Sequence, residues 1–258
     1  MHAHFVLAHP EPRSFNANLV RCGAEVLEAQ GWTVSVTDLY ALGFDPAERA
    51  QHFPQRQDEA RFDVQGEQRH AAMSGTLPEV VGNELEIMDR SDLLVLQYPM
   101  WWHLPPAMLK GWFDRVLAYG AAYTSGKRFE TGRFAGRRAM LSVTVGTSRE
   151  TYRHDGRSGD IDLLLWPVNF SLAYVGYTVL EPFVSYGVEA ALAYSEPTAV
   201  EARLEAIVEA FRDQIPNALE RPTLRFNRMD EWGADGRIVP DAPVHSPFVR
   251  RNKDLDLG

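Results

Sequence analysis

The amino-acid sequence predicts an α/β protein built on a doubly wound, five-stranded parallel sheet, and three observations lead to that prediction. Short apolar runs of strand length alternate along the chain with longer segments in which apolar residues recur at helical spacing. One of these runs, residues 93–96, is uninterrupted, which is typical of a central parallel strand covered by helices on both faces. Loops rich in Pro, Gly and Ser follow several of the runs and separate strand from helix.

Five strands and five helices follow from these patterns. The strands are predicted at residues 5–8, 32–36, 93–96, 139–144 and 177–182. The second strand alternates polar and apolar residues, which favours a position near a sheet edge, and the third is central. The helices are predicted from residue 15 to about 27, over 77–92, from Pro106 to about 117, over 163–175 and over about 198–215.

Two stretches are predicted to lack regular structure. Residues 43–75 are polar and contain Pro46 and Pro54. A connection of that length inside one domain is usually functional or interfacial, so we expect a partner subunit to cover it. Residues 217–258 carry four prolines and isolated aromatic side chains. They predict an extended C-terminal tail that packs on the main domain, residues 1–216, or on the partner subunit.

Composition narrows the class of protein further. With 258 residues and 45% hydrophobic content, the chain can bury one full core. A net charge of −9 and a pI near 5.4 argue against a nucleic-acid surface, which needs clustered Lys and Arg. The single cysteine, Cys22, excludes an internal disulfide and lies in a helical pattern as a small apolar residue. The sequence has no secretory leader and no apolar run of ~18 residues, so we expect a cytoplasmic protein without a membrane span.

The loop after the first predicted strand has the features of a phosphate site. Ser14 is placed to cap the following helix, with the backbone N–H groups of Phe15, Asn16 and Ala17 free at the positive end of the helix dipole. Arg13 adds a cation beside them. The alternative is a capped helix without a ligand, since the loop lacks both the glycines of a dinucleotide fingerprint and the lysine of a P-loop. His9 in the same loop is, on the residues alone, a structural histidine.

Large apolar side chains occupy the loop after the third strand, where solvent would normally surround them. Prolines on both sides exclude regular structure, and between them lie Met100, Trp101, Trp102 and His103. Ligands of open α/β sheets bind beyond the carboxyl ends of the strands near the switch point, so this loop predicts contact with a planar cofactor. The alternative for the two tryptophans is ordinary core packing.

A third loop, which begins at Val145, is small and rich in hydroxyl groups. Its backbone N–H groups can meet the polar edge of a ligand. The segment RHDGRSGDID that follows contains a histidine and three carboxylates, but it has no metal-motif spacing, so no metal is predicted. The nucleophile elbow G-x-S-x-G is absent, which argues against acyl transfer.

Taken together, these residues resemble the flavin-dependent NAD(P)H quinone dehydrogenases of the DT-diaphorase type, which have a flavodoxin-like fold. The resemblance spans about residues 4–215 and rests on the motifs AHPEPRSFN, TDLYALGFDP, QYPMWWHLPPAMLKGWFDRV, SVTVGTSRETY, GDIDLLLWPV and YTVLEP. It implies an FAD cofactor and NAD(P)H as the electron donor. It also implies a homodimer with each active site at the subunit interface, which gives the polar stretch 43–75 a purpose.

The resemblance also implies where the cofactor lies. The FAD pyrophosphate would lie near His9, Arg13, Ser14, Phe15 and Asn16. The isoalloxazine ring would stack on Pro99, Met100, Trp101, Trp102 and His103. Its pyrimidine edge would face the backbone of Thr144, Val145, Gly146 and Thr147. Tyr152 would lie close to the ring carbonyl, and Arg203 near the adenine.

The sequence departs from the family on the acceptor side. A family histidine that helps a tyrosine stabilise charge on the reduced flavin is Ser158 here, and His154 lies four residues earlier. His103 replaces an aromatic residue, while Ser125 and Arg128 replace a Tyr and a Met of the substrate pocket. We expect the acceptor to contact Trp102, His103, Tyr123 and Arg128.

The predicted function is two-electron transfer from NAD(P)H through FAD to a quinone-like acceptor. Tyr152 is predicted to stabilise charge on the flavin. His103 is predicted to donate a proton or hydrogen bond to a reduced quinone oxygen, or else only to hydrogen-bond the loop backbone. Two other functions remain open: a redox-sensing flavoprotein subunit of a larger complex such as a transporter, and a reductase of nitro or azo compounds.

Overall fold

The computed structural model describes residues 1–189, 195–245 and 247–251, and it confirms the predicted doubly wound α/β fold. The strands are β1 (His2–Leu7), β2 (Thr33–Asp38), β3 (Leu93–Pro99), β4 (Arg138–Thr144), β5 (Thr178–Val179) and β6 (Phe183–Ser185). The helices are α1 (Phe15–Ala29), α2 (Val64–Ser74), α3 (Glu79–Arg90), α4 (Ala107–Val116), α5 (Ile161–Tyr174) and α6 (Pro197–Gln214).

The described strands form one parallel sheet in the order β2-β1-β3-β4-β5, with β6 also paired to β4. This is the strand order of the flavodoxin-like fold, and its switch point lies between β1 and β3. Every residue of β3 is buried, which confirms the predicted central strand. β2 lies at the edge of the sheet, as the alternation of its residues predicts.

The predicted fifth strand, residues 177–182, is wrong in its extent. Thr178 and Val179 pair with the first two residues of β4, whereas Phe183–Ser185 pair with the last three. Glu181 and Pro182 between them leave the ladder, because the N–H of Glu181 bonds to the carbonyl oxygen of Pro222 and proline has no N–H to donate. The fifth position of the sheet therefore holds two short strands in line.

Helices on both faces of the sheet explain the uninterrupted apolar run of β3. Leu94 and Leu96 belong to a core that includes Trp112 of α4 and residues of α3 and α5. Leu93 and Val95 belong to the core on the opposite face, with residues of α1 and α6. Successive side chains of a strand point to opposite faces, so a strand between two helical layers must be apolar at each position.

Residues 43–75 are not a structureless connection, which corrects the prediction for this segment. They include α2, whose buried Glu67 carboxylate accepts the N–H of Gln57 at 2.8 Å. The helical pattern is weak in the sequence because α2 buries only three residues, and two of them are polar. The segment packs closely on α4, where a Cβ on Gly111 would lie 2.2 Å from the carbonyl oxygen of Pro46.

The C-terminal segment packs along the β5 edge of the sheet. Leu224 donates its N–H to the carbonyl oxygen of Val179 at 2.9 Å. The Phe226 ring lies 4.8 Å from the Trp166 ring of α5, measured between centroids. A sheet edge that its own chain covers is not open to pairing with another molecule. The division into a domain and a tail at residue 216 stays a prediction.

A buried carboxylate ties the edge of the sheet to α4. Glu84 of α3 accepts a hydrogen bond from the Thr37 hydroxyl of β2 at 2.6 Å and another from the Trp112 indole N–H at 2.8 Å. Its other neighbour is the His4 imidazole, 3.6 Å away. Burial alone raises the pKa of Glu84, but the imidazole and the two hydrogen bonds outweigh it, so that the pKa lies below its ordinary value. Glu84 is therefore ionised and its charge is satisfied inside the protein.

We predict that Glu84→Gln lowers the free energy of unfolding at pH 7 by about 2 kcal/mol, because an amide cannot accept both hydrogen bonds. A carboxylate whose folded pKa is depressed stabilises above its unfolded pKa, about 4.3, and the stabilisation is lost as the pH falls through the folded value. Urea titrations should therefore show a difference from wild type that is full at pH 7 and shrinks below about pH 4. Glu86→Gln, at an exposed position of the same helix, is the control and should change little. Equal stability of Glu84→Gln and wild type at pH 7 would contradict the argument.

Candidate active site

Three loops that carry most of the predicted cofactor residues lie at one edge of the sheet. They are residues 8–14 after β1, residues 100–106 after β3 and residues 145–160 after β4. Parallel strands end at the same edge, and β1, β3 and β4 are neighbours in the sheet. The fold therefore brings together segments that are separated by up to about 150 residues of chain.

A buried hydrogen-bonded cluster joins these elements beneath the loops. Asn16 donates from Nδ2 to the Thr144 hydroxyl at 3.0 Å and accepts from Gln97 Nε2 at 2.8 Å. All three side chains are buried. The Asn16 side chain is thus engaged inside the fold, so only its backbone N–H remains for a ligand. Gln97 was not predicted as a site residue, although a glutamine in an otherwise apolar strand is a signal for such a role.

The first loop leaves backbone donors free at the start of α1. Ser14 caps the helix, and its hydroxyl accepts the Ala17 N–H at 3.2 Å, so the prediction that this N–H is free is wrong. Among the described residues, the N–H groups of Phe15 and Asn16 have no hydrogen-bond acceptor. Arg13 is exposed, and its guanidinium lies 3.2 Å from the Glu11 carboxylate. An anion at this helix end would meet two N–H donors and a nearby cation.

His9 links the first loop to the aromatic loop. Its Nδ1 accepts the backbone N–H of Glu11 at 3.0 Å. Its ring lies edge-on to Trp101, with 6.1 Å between the centroids. Burial lowers the pKa of His9, so the ring is neutral at pH 7. Because Nδ1 is the acceptor, Nε2 carries the proton and is a donor at the site.

The aromatic loop is a tight turn in a strained conformation. Trp101 and Leu104 exchange two backbone hydrogen bonds, at 2.9 and 3.0 Å. The two residues between them, Trp102 and His103, have φ angles of 52° and 64°. These are the angles of a type I′ turn, which favours Asn-Gly, and side chains other than glycine cost of order 1–3 kcal/mol each there. Strain of this kind is typical of functional sites.

The turn presents its side chains to solvent. The exposed fraction is 92% for Trp102 and 42% for Trp101, and His103 is also exposed. This contradicts the alternative that both tryptophans serve ordinary core packing. No hydrogen bond joins the His103 ring to the loop backbone in the described part of the chain, so the alternative role of His103 is also unsupported. An exposed indole at a strained position is suited to stacking on a flat ligand.

The third loop supplies fewer backbone donors than the resemblance implies. The N–H of Val145 bonds to the carbonyl oxygen of Ser185, and its own carbonyl accepts from Val188. Among the described residues, the N–H groups of Gly146 and Thr147, just beyond the end of β4, have no acceptor. These two donors are adjacent and exposed, and they can meet the carbonyl oxygens of a bound ring.

Tyr152, within the third loop, is half-buried and packs against a second tyrosine. Its ring centroid is 6.2 Å from that of Tyr186. The segment that carries it is folded back on itself, because Ser158 donates its N–H to the carbonyl oxygen of Thr151 at 2.9 Å. Thr151 also contacts the Thr147 hydroxyl at 2.7 Å. Tyr152 is therefore held near the free donors of Gly146 and Thr147.

Arg203 and Arg128 are engaged within the chain. The guanidinium of Arg203 donates to the carbonyl oxygen of Gly187 at 3.0 Å and pairs with Glu189, also at 3.0 Å. The N–H of Gly187 in turn donates to the carbonyl oxygen of Thr147, so Arg203 is linked to the third loop through Gly187. The guanidinium of Arg128 lies 5.1 Å above the Tyr174 ring. Arg128 Nε also donates to the carbonyl oxygen of Thr124 at 3.1 Å.

An apolar groove of about 480 Å³ begins beside the aromatic turn. It runs from Leu104 along α4 and α5 to Tyr174, and Tyr123 is one of its walls. The Tyr123 ring lies edge-on to Tyr174, with 5.4 Å between the centroids. Arg128 is not among the residues that line this groove, and its contact with an acceptor stays a prediction.

Two further findings concern the described residues as a whole. No group of three or more His, Cys, Asp or Glu side chains is arranged to hold a metal ion. No helix combines the length and the apolar character that crossing a membrane requires.

Cys22 is buried on α1, as its predicted role as a small apolar residue requires.

The strand order and the loops at the carboxyl edge define a flavodoxin-like protein, and comparison with known proteins agrees. The sequence pattern of the flavodoxin-like fold family matches residues 1–214. NAD(P)H dehydrogenase [quinone] 1 of Cavia porcellus is 37% identical over 185 residues, which are 71% of this chain and 67% of that protein. Ribosyldihydronicotinamide dehydrogenase [quinone] of Mus musculus is 36% identical over 188 residues, 71% of this chain and 80% of that protein. The chain therefore belongs to the quinone dehydrogenase family of flavodoxin-like proteins.

Solved structures give the same result. A Klebsiella pneumoniae protein described as a candidate quinone reductase superposes with a TM-score of 0.80 at 28% identity, covering 93% of this chain and 92% of its own. The NAD(P)H:quinone oxidoreductase of Methanothermobacter marburgensis superposes with a TM-score of 0.64 at 26% identity, covering 86% of this chain and 98% of its own. The resemblance seen in the sequence motifs is confirmed.

We predict that His103→Gly raises the free energy of unfolding by about 1 kcal/mol, because glycine removes the Cβ from a left-handed position. Thermal and urea unfolding of the flavin-free protein measure the change. His154→Gly is the matched control, since His154 is also an exposed loop histidine but has no positive φ. That variant should lose about 0.4–1 kcal/mol through the added freedom of the unfolded chain. A loss of similar size in both variants would show that the turn is not strained.

Proposed function

We propose that this protein is an FAD-dependent NAD(P)H:quinone oxidoreductase that works as a homodimer. The observation that carries the proposal is the meeting of two elements at one sheet edge: the exposed Trp101-Trp102 turn and the free N–H pairs on both sides of it. A flat ring with an anionic arm and a polar edge is the ligand that such an arrangement fits. The family membership supports the same class of cofactor.

The residues present fit an FAD. Phe15 and Asn16 would bind the pyrophosphate through their N–H groups, with Arg13 as the nearby cation. Trp101, Trp102 and the chain from Pro99 to His103 would hold the isoalloxazine. Gly146 and Thr147 would donate to its pyrimidine edge. When bound, the flavin accepts a hydride from NAD(P)H and passes the electron pair to the acceptor, and this is the chemistry that the side chains themselves lack.

The chain's own groups control charge and protons in this site. Tyr152 and the N–H groups of Gly146 and Thr147 would stabilise negative charge at the pyrimidine edge, because all three lie on the loop beyond β4 and the two N–H groups have no acceptor among the described residues. Arg203 holds the third loop in place through Gly187. His103 supplies a proton or hydrogen bond to the oxygen of a reduced quinone at the exposed face of the turn.

A second copy of the chain would complete the site. Trp102 and Leu104 have exposed fractions of 92% and 59%, and the apolar groove beside them is open. Exposed apolar surface next to a binding site is typical of a subunit interface. The dimer would cover the turn and exclude water from the ligand. A cytoplasmic location remains an expectation from the sequence.

The decisive experiment identifies the flavin and its turnover. Purified protein, reconstituted with FAD or FMN in parallel, should retain FAD, which acid release and chromatography identify. NADPH or NADH should then bleach the flavin spectrum under anaerobic conditions, and a quinone should restore it. Retention of FMN alone would contradict the FAD assignment. A flavin that is reduced once but not reoxidised by quinone would favour a redox-sensing subunit over an enzyme.

We predict that Tyr152→Phe slows anaerobic flavin reduction by ~10- to 1,000-fold without releasing FAD, because only a hydrogen bond to developing charge is removed. Stopped-flow absorbance measures the rate. Tyr177→Phe is the matched control, since its hydroxyl is buried without a partner among the described residues, at the start of β5 and far from the loops. If the flavin of both variants is reduced at the wild-type rate, Tyr152 lines the site without stabilising charge on the flavin.

We predict that His103→Asn slows reoxidation by quinone at least several-fold and leaves the reduction step nearly unchanged, because asparagine tolerates the positive φ but carries no titratable proton. The two half-reactions are timed separately in a stopped-flow instrument. Equal reoxidation rates across the pH range would mean that solvent supplies the protons and that His103 serves the turn alone.

A further inference from the structure

The loop after β4 carries cations that the proposed function does not use. Within residues 145–160, the arginines are Arg149, Arg153 and Arg157. Arg153 pairs with the Asp155 carboxylate at 3.5 Å. Arg149 and Arg157 are exposed, and neither has a carboxylate oxygen within 4.0 Å in the described part of the chain. Two guanidinium groups are thus available at the rim of the candidate site.

The folding of the loop brings its two cationic segments side by side. Gly156 packs so tightly on the first segment that an added Cβ would lie 2.3 Å from the Thr151 carbonyl oxygen and 2.7 Å from that of Glu150. The next residues are joined by the bond from Ser158 N–H to Thr151. Arg149 precedes the first segment and Arg157 follows Gly156, so both flank the same doubled-back loop. The close contact at Gly156 leaves little space between this part of the loop and the backbone of Glu150 and Thr151.

One of these arginines acts electrostatically on the wall of the site. Burial raises the pKa of Tyr186, and the charge of Arg149 partly offsets that rise. The Tyr186 ring contacts Tyr152. Arg149 and Tyr152 are also the first and last residues of one 3-10 turn, in which side chains three residues apart lie on the same face. Arg149 is therefore on the side of the loop that carries Tyr152. Glu150 is the nearest carboxylate in sequence. A hydrogen bond from Ser148 and the charges of Arg153 and Arg149 hold its pKa below the ordinary value.

We propose that Arg149 and Arg157 bind the phosphomonoester of a phosphorylated pyridine dinucleotide, so that the protein prefers NADPH to NADH as its electron donor. This inference rests on the proposed function, because it concerns the donor of that reaction. NADPH and NADH differ only by the 2′-phosphate, and a guanidinium fork matches phosphate oxygens in geometry and charge. The chain has a net charge of −9, so a cationic rim is also the place where a polyanionic donor is least repelled.

The first test measures binding without turnover. Calorimetry on the FAD-loaded protein compares adenosine 2′,5′-bisphosphate with adenosine 5′-monophosphate. We expect the bisphosphate to bind at least tenfold more tightly, and the ratio to fall several-fold in Arg149→Ala and in Arg157→Ala. Arg237→Ala, at an exposed arginine paired with Asp235 in the C-terminal segment, should keep the wild-type ratio. Arg149→Lys and Arg157→Lys should keep more of the preference for the bisphosphate than the alanine variants do, because lysine keeps the charge but lacks the planar guanidinium.

The second test uses the ratio of kcat/KM for NADPH to that for NADH. It should exceed ten in wild type, approach one in the double variant Arg149→Ala, Arg157→Ala, and shrink in wild type as salt screens the exposed charges. Equal use of both donors by wild type, or an unchanged ratio in the double variant, overturns the inference and leaves the proposed function intact. Reduction by neither donor would instead overturn the proposed function, and the binding ratio would still decide whether the arginines recognise a phosphomonoester.

Discussion

The hydrogen bonds among Asn16, Gln97 and Thr144 hold together the three elements on which the site depends. They join the first turn of α1 to the ends of β3 and β4, in a layer where the surrounding side chains are apolar. A buried amide is costly unless its partners are in place, so the cluster stabilises one position of the helix relative to the sheet. That position sets where the free N–H groups of the helix start lie with respect to the aromatic turn. The cluster leaves Gln97 Oε1 without a partner among the described residues, and the surrounding core must offset that cost.

The rest of the edge is built from groups that the fold leaves unsatisfied. The Trp102-His103 turn holds two side chains at positive φ, and the loops beside it present N–H donors without acceptors. The positive φ angles cost stability in the isolated chain, whereas the exposed N–H donors bond to water until a ligand replaces it. The regular part of the fold offsets the cost through two packed helical layers and through satisfied buried charges such as Glu84. Stability and function are thus divided between the interior of the sheet and its carboxyl edge.

Electrostatics at this edge differ from those of the chain as a whole. The protein carries a net charge of −9, yet the loops at the site contain Arg13, Arg149 and Arg157. Arg13 already has a carboxylate partner, whereas Arg149 and Arg157 of the third loop have no carboxylate oxygen within 4.0 Å among the described residues. On a protein with a net negative charge, the cations Arg149 and Arg157 make this loop the place where an anionic ligand is most strongly attracted. The exposed tryptophan beside it provides the apolar contact that such ligands need for their flat rings.

The sequence by itself determined the fold class, the central and edge strands, the starts of α1 and α4, and the three loops that form the site. It could do so because the spacing of apolar residues, the prolines and the helix-capping residues each determine the conformation of neighbouring residues in the chain. Only the tertiary structure decided how those groups are used. It engaged the Asn16 side chain, Arg128 and Arg203 inside the chain, divided the fifth strand at Pro182, and formed α2 within the polar segment. These outcomes depend on partners far away in sequence, and whether a polar group is free for a ligand depends on whether the fold has already placed a partner beside it.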